Sequence, residues 1–261
     1  MTATRYVTPL REGGSLPAVI EADDDGLYVL KFRGAGQGPK ALIAELVAGE
    51  IGRALDLPVP EIVFVELDID LARTEPDPEI QDLIRASGGQ NLGLDYLSGA
   101  LTFDPLADPT DADLASRIVW FDAFVTNLDR TARNTNMLVW HRKLWLIDHG
   151  AALYFHHAGL DDLGAATRPF PLIGQHVLLP SASRLREVDQ ALADRLPRTA
   201  LEAIVDTVPD DWLHDDGAPP AANEPRSAAD RRAAYVDHFL RRLAAPRAFV
   251  EEAIRARHAD V

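Results

Sequence analysis

The sequence predicts an α+β fold in two lobes, a small β-rich lobe with one helix over residues 1–90 and a larger, mostly helical lobe over 91–261. Three observations predict it. Short strand-like runs at 18–21, 27–32 and 62–67 crowd into the first part of the chain. Helical spacing of apolar residues dominates from Leu114 to Val125 and again from about Ser183. Between those helical stretches lies one hairpin, Met137 to Ile147.

Taken in order, Ala18 to Glu21 and Leu27 to Phe32 flank Asp23-Asp24-Asp25-Gly26, a turn that closes a β-hairpin. Gly13-Gly14-Ser15 precedes the first of these strands. Residues 41–57 read as a helix, because Ile43, Val47, Ile51 and Leu55 recur at helical spacing, and Pro58 and Pro60 stop it. Ile62 to Leu67 reads as a strand. Residues 68–90, charged and broken by Pro76, Pro78, Gly88 and Gly89, read as a loop with one helical turn, and Asn91 to Phe103 fits neither period. A helix over Leu114 to Val125 leads into a polar loop, Thr126 to Asn136. The hairpin follows, turning at His141-Arg142-Lys143. Asp206 to Arg226, rich in Asp and Pro, reads as a mobile connection between C-terminal helices.

Composition narrows the function. Forty-one acidic against 26 basic side chains give a net charge of −15, which disfavours phosphate polyanions and anionic lipid heads as partners. With no cysteine there is no thiol catalysis, disulfide or zinc-thiolate site. No apolar run approaches the ~18 residues of a membrane span and no signal-peptide core opens the chain, so a cytoplasmic location is expected. No Gly-x-Ser-x-Gly elbow marks a hydrolase. His156-His157 with Asp161 and Asp162 lacks metal-ligand spacing. Asp122 reads as a solvated or capping residue, and His176 as a core histidine.

The chemistry concentrates in Phe121 to Leu153. Asp129 and Asn134 stand five apart on a loop leaving a helix, and Asp148 follows at the end of the hairpin, beside His149-Gly150. Phosphoryl transfer needs one carboxylate to orient and deprotonate the attacking hydroxyl, and an amide oxygen plus a second carboxylate to hold magnesium. Protein kinases place these at an Asp-x-x-x-x-Asn loop followed by a hairpin ending in Asp-x-Gly, which is the order here. Lysine occurs only at positions 31, 40 and 143, yet Lys31 sits within a strand, on the face of Leu27 and Val29. A lysine there needs an anionic partner or an open cleft. Glu45 on the next helix is the first candidate for that partner and Glu50 its rival. Glycines at Gly13-Gly14-Ser15 would let backbone N–H groups approach phosphates.

These residues resemble the HipA-like kinases, a bacterial branch of the protein-kinase-like superfamily. Asn127-Leu128-Asp129-Arg130 and then Asn134 match that family's Asn-x-Asp-Arg/Gly-x-x-x-Asn loop. Ala54 to Pro60 looks like its helix exit. Phosphoinositide kinases share a similar loop. The resemblance runs from about Gly13 to Leu153. It implies a bilobal protein-kinase-like fold, ATP and Mg2+ as nucleotide and metal, and transfer to protein serine or threonine. It implies Asp129 as catalytic base, Asn134 and Asp148 as magnesium ligands, and Lys31, paired with a helix glutamate, as phosphate contact. Toxin-type members are longer, work beside a DNA-binding partner, and differ in the glycine-rich loop. A nucleotide-binding pseudokinase and a small-molecule phosphotransferase are the competing readings.

Overall fold

The computed structural model describes residues 1–10, 16–36, 38–160, 162, 164–213 and 227–259. Gly13, Gly14 and Ser15 lie outside them, as do Asp161 and residues 214–226 of the expected connection.

Five antiparallel strands form the first sheet: β1 (Ala3–Pro9), β2 (Ala18–Ala22), β3 (Leu27–Lys31), β4 (Ile62–Leu67) and β5 (Gly89–Asp95), in the order β1-β2-β3-β5-β4. The sheet curls until its outer strands meet. Glu66 N–H donates to Met1 O at 2.9 Å, and Thr2 and Glu66 form a parallel bridge. The face carrying Ile20, Leu30, Phe32 and Val65 packs on Ile80 and Ile84.

Helix α1 (Gly38–Ala54) belongs to a different core. Its Leu42, Leu46 and Ile51 join the large apolar cluster of the helical part, with Phe121, Leu201 and Trp212. The helix stops before the prolines. Asp56 takes the left-handed conformation (φ 52°), Asp56 N–H donates to Arg53 O and Leu57 N–H to Gly52 O, which satisfies the last carbonyls.

Residues 68–90 hold more structure than expected. A 3-10 turn, Ile69–Thr74, is followed by α2 (Pro78–Ala86), capped by Asp77, whose carboxylate accepts from Glu79 N–H. Only Ile80 and Ile84 of α2 are buried, one turn apart, too few for a clear helical period. Strand β1 was also unforeseen, because only Ala3 of its seven residues is buried. A boundary at residue 90 would cut β5, whose Leu92, Gly93 and Leu94 pair with β3 and β4. The expected connection after Asp206 includes a short helix, α6 (Asp210–Leu213), anchored by buried Trp212 and Leu213.

The remainder is helical around a three-stranded sheet, β6 (Leu101–Thr102), β7 (Met137–Trp140) and β8 (Lys143–Leu146), in that order. Helix α3 (Ala112–Phe124) is capped by Asp111, which accepts from Asp113 and Leu114 N–H, and is buried along nearly its whole length. Around it lie α4 (Leu185–Asp194), α5 (Arg198–Asp206), α7 (Ala228–Leu243) and α8 (Ala248–Ala259). Buried Arg242 of α7 holds the end of α3. It donates to Ala123 O (2.6 Å) and Phe124 O (2.8 Å), and also to Ala166 O (3.1 Å) and Arg168 O (3.3 Å). No helix among the described residues is long and apolar enough to cross a membrane.

Candidate active site

A cleft of about 690 Å³ opens between the first sheet and the β7–β8 hairpin. Val29, Leu94, Leu138 and Ile147 give it apolar walls, and Lys31, Asn134, Asn136 and Asp148 its polar groups. The strand alternation that buries Leu30 and Phe32 turns Val29 and Lys31 toward this space.

Lys31 Nζ lies 3.1 Å from Glu45 Oε2 and 2.5 Å from Asp148 Oδ1. Its side chain is 11% exposed, that of Glu45 1%, and that of Asp148 43%. Burial disfavours the ammonium, but Glu45 and Asp148 outweigh it and raise the Lys31 pKa above its ordinary value. Burial likewise opposes ionisation of Glu45, and Lys31 and the hydrogen bond from His149 overcome it, so its pKa is lowered. Glu50, the rival partner, pairs instead with Arg53 at 3.4 Å.

The loop after α3 is built on a second buried carboxylate. Asp122, expected as a solvated or capping residue, is fully buried. Its Oδ2 accepts from Arg130 Nε (2.6 Å) and from His176 Nε2 (2.9 Å), and its Oδ1 from Asn127 Nδ2 (2.9 Å). Because His176 Nδ1 accepts from Leu178 N–H (3.0 Å), the proton given to Asp122 sits on Nε2. Burial would raise the Asp122 pKa, but Arg130 and His176 hold it below the usual carboxylate value. Arg130 Nη1 also donates to Asn136 O and to Ile147 O, so one guanidinium spans loop and hairpin.

On this base the polar loop presents its outer residues. Asp129 N–H donates to Asn127 Oδ1 (3.1 Å). Asp129 Oδ2 accepts from Asn134 Nδ2 (2.8 Å) and Asn136 Nδ2 (3.1 Å). Asn136 (φ 46°) and Asp148 (φ 56°) both adopt left-handed backbone, which Asn and Asp tolerate better than other side chains. Asn136, Asp122, Arg130 and His149 were not among the expected site residues. Asn134 drew attention by its spacing from Asp129 and Asn127 by the family resemblance, but His176 lies 54 residues from Asp122 and leaves no local signal.

The sequence model of the HipA-like kinases matches residues 4–244. The chain belongs to the HipA-like kinase family. Its fold agrees with that of the Helicobacter pylori proinflammatory kinase CtkA, with a TM-score of 0.56 and 13% identity over 99% of this chain and 98% of that one. The Golgi casein kinase, in a crystal structure with Mn and ADP bound, aligns with a TM-score of 0.46 and 13% identity over 95% of this chain and 75% of that one. No curated protein sequence matches. The family and fold of this HipA-like kinase are therefore those of phosphotransferases.

Proposed function

We propose that the chain is an ATP- and magnesium-dependent kinase that transfers the γ-phosphoryl group to a hydroxyl acceptor, protein serine or threonine being the acceptor class. The observation that carries this reading is Lys31 bridging Glu45 and Asp148 on the wall of a cleft that also holds Asn134. The cleft volume and apolar walls suit a nucleotide base, and Lys31 is placed to turn from Asp148 to phosphate oxygens.

The oxygen donors fit a hard divalent ion. With its Nδ2 given to Asp129, Asn134 keeps Oδ1 available, and half-exposed Asp148 offers a carboxylate in the same cleft, so these two would hold magnesium. Bound there with the nucleotide, magnesium supplies charge neutralisation at the transferring group. Both hydrogen bonds to Asp129 fall on Oδ2. Its Oδ1, bonded to no donor among the described residues, is the oxygen that would take the acceptor's proton. The paired amides keep the carboxylate oriented for that task.

Asp129→Asn should abolish transfer while retaining magnesium-dependent thermal stabilisation by ATP, and Asp148→Asn should lose both. Nucleotide at 100 times its Kd stabilises a fold by roughly 2.7 kcal/mol, well within reach of a melting experiment. Wild-type protein with no such shift at millimolar Mg-ATP would overturn the reading. A shift without phosphate transfer to any protein or small-molecule hydroxyl would replace it with a nucleotide-binding module.

A further inference from the structure

We propose that His149 is a positioning residue that latches the Asp148–Gly150 segment to α1 through Glu45, so that one carboxylate places both the phosphate-contacting lysine and the metal-holding aspartate. This rests on the kinase reading above. The Glu45 oxygens divide the work. Oε2 faces Lys31 at 3.1 Å, whereas Oε1 accepts the His149 backbone N–H at 3.1 Å and lies 3.3 Å from His149 Nδ1. An ionised carboxylate offers only lone pairs, so the ring must carry its proton on Nδ1. His149 is fully buried and its Nε2 has no hydrogen-bond partner among the described residues, so among them Glu45 alone fixes the polar side of the ring. Phe121 supports it edge-on, with ring centroids 5.8 Å apart. The next residue presses on the same helix, since a Cβ at Gly150 would stand 3.6 Å from Glu45 Oε2 and 3.7 Å from Ala41 O.

Such a latch answers a specific need. In the structure, Lys31 and Asp148 hold each other at 2.5 Å. When the lysine turns to phosphates and the aspartate to a metal, that bond is given up. The segment must then keep Asp148 in its left-handed conformation by other means. The two bonds from His149 to Glu45 survive the exchange, because neither Lys31 Nζ nor the Asp148 carboxylate takes part in them.

Two substitutions separate a donor from a packing residue. His149→Phe keeps a ring against Phe121 and the backbone bond but removes Nδ1–H. His149→Asn loses the ring yet offers an amide N–H close to where Nδ1–H stood. The readout is the magnesium concentration giving half of the magnesium-dependent thermal shift with nucleotide, beside kcat and nucleotide KM. We expect Phe to raise that concentration about tenfold and lower kcat with little change in KM, as for the loss of one buried hydrogen bond to a charged acceptor. Asn should return it to within about threefold of wild type despite a lower Tm. The opposite ranking, Phe intact and Asn impaired, would make the ring mere packing and overturn the proposal. So would imidazole 15N signals of metal-free protein that place the proton on Nε2. If wild-type protein gives no magnesium-dependent shift at all, the kinase reading fails, and the 15N signals still decide the latch.

Discussion

Glu45 and Asp122 are both buried carboxylates that hold one cation and one histidine, yet only the first has a cation that lines the cleft. Around Glu45 the cation is a lysine, 11% exposed, which reaches a second carboxylate that is 43% exposed. Around Asp122 the cation is an arginine, with ion-pair side chains 0% exposed on both sides, and its remaining bonds run to the carbonyls of Asn136 and Ile147. An ammonium is a compact charge that can turn from one anion to another, whereas a guanidinium fixes several acceptors in one plane. The chain, which uses only three lysines, places one between two carboxylates, where the proposed transfer would re-aim its charge, and an arginine where several acceptors are held at once.

The hardest way to break this contrast is Asp122→Asn. It leaves Arg130 buried opposite a neutral amide, and we expect a loss of about 3–5 kcal/mol in unfolding free energy, read from denaturant titration. A loss below about 1 kcal/mol would mean that Arg130 finds water and that the second cluster is not sealed. Exchanging the cation types sharpens the comparison. Arg130→Lys should cost about 1–3 kcal/mol through carbonyls left unbonded, whereas Lys31→Arg should cost about 1 kcal/mol or less and yet abolish transfer. Equal stability losses would erase the distinction between the two sites.

Acid gives a graded effect. Both carboxylates have folded-state pKa values below the ordinary 4.5 of a glutamate, for Glu45, and 3.8 of an aspartate, for Asp122. Their contribution is therefore complete above those values and lost as pH falls through and below them. Wild-type stability should decline more steeply than that of Asp122→Asn below pH 4, by about 1.4 kcal/mol per pH unit for the one proton concerned. Parallel curves from pH 4 to pH 2 would show that Asp122 is not held ionised.

Much of this was written locally. The apolar spacing of α1 and α3, the Asp-rich turn between β2 and β3, and a lysine within β3 are all features of neighbouring residues. Glu45 could not be separated from Glu50 until the helix faces were known: Glu45 turns inward to Lys31, and Glu50 lies beside Arg53. Strand β1 escaped because it is mostly exposed, and α2 because two buried isoleucines and a proline start do not make a visible period. Asp122 was misread for a deeper reason. A carboxylate followed at one helical turn by buried apolar residues looks the same whether it faces water or an arginine, and only the third dimension brings His176 to it.

Arg242 adds a consequence for the order in which the molecule is made. It closes the last carbonyls of α3, where the loop bearing Asp129 begins, yet it follows Ala123 by 119 residues. At ~5–20 residues per second, synthesis takes roughly 6–24 s to pass from one to the other. Throughout that interval the carbonyls of Ala123 and Phe124 lack the buried cation that closes them. A nascent chain can thus form its first sheet, and the contacts of Asp122 with Asn127, Arg130 and His176 beneath the loop, before α7 emerges, but the carbonyls that end α3 are closed only afterwards. The end of α3 is thus among the last parts of the molecule to be closed as the chain is made.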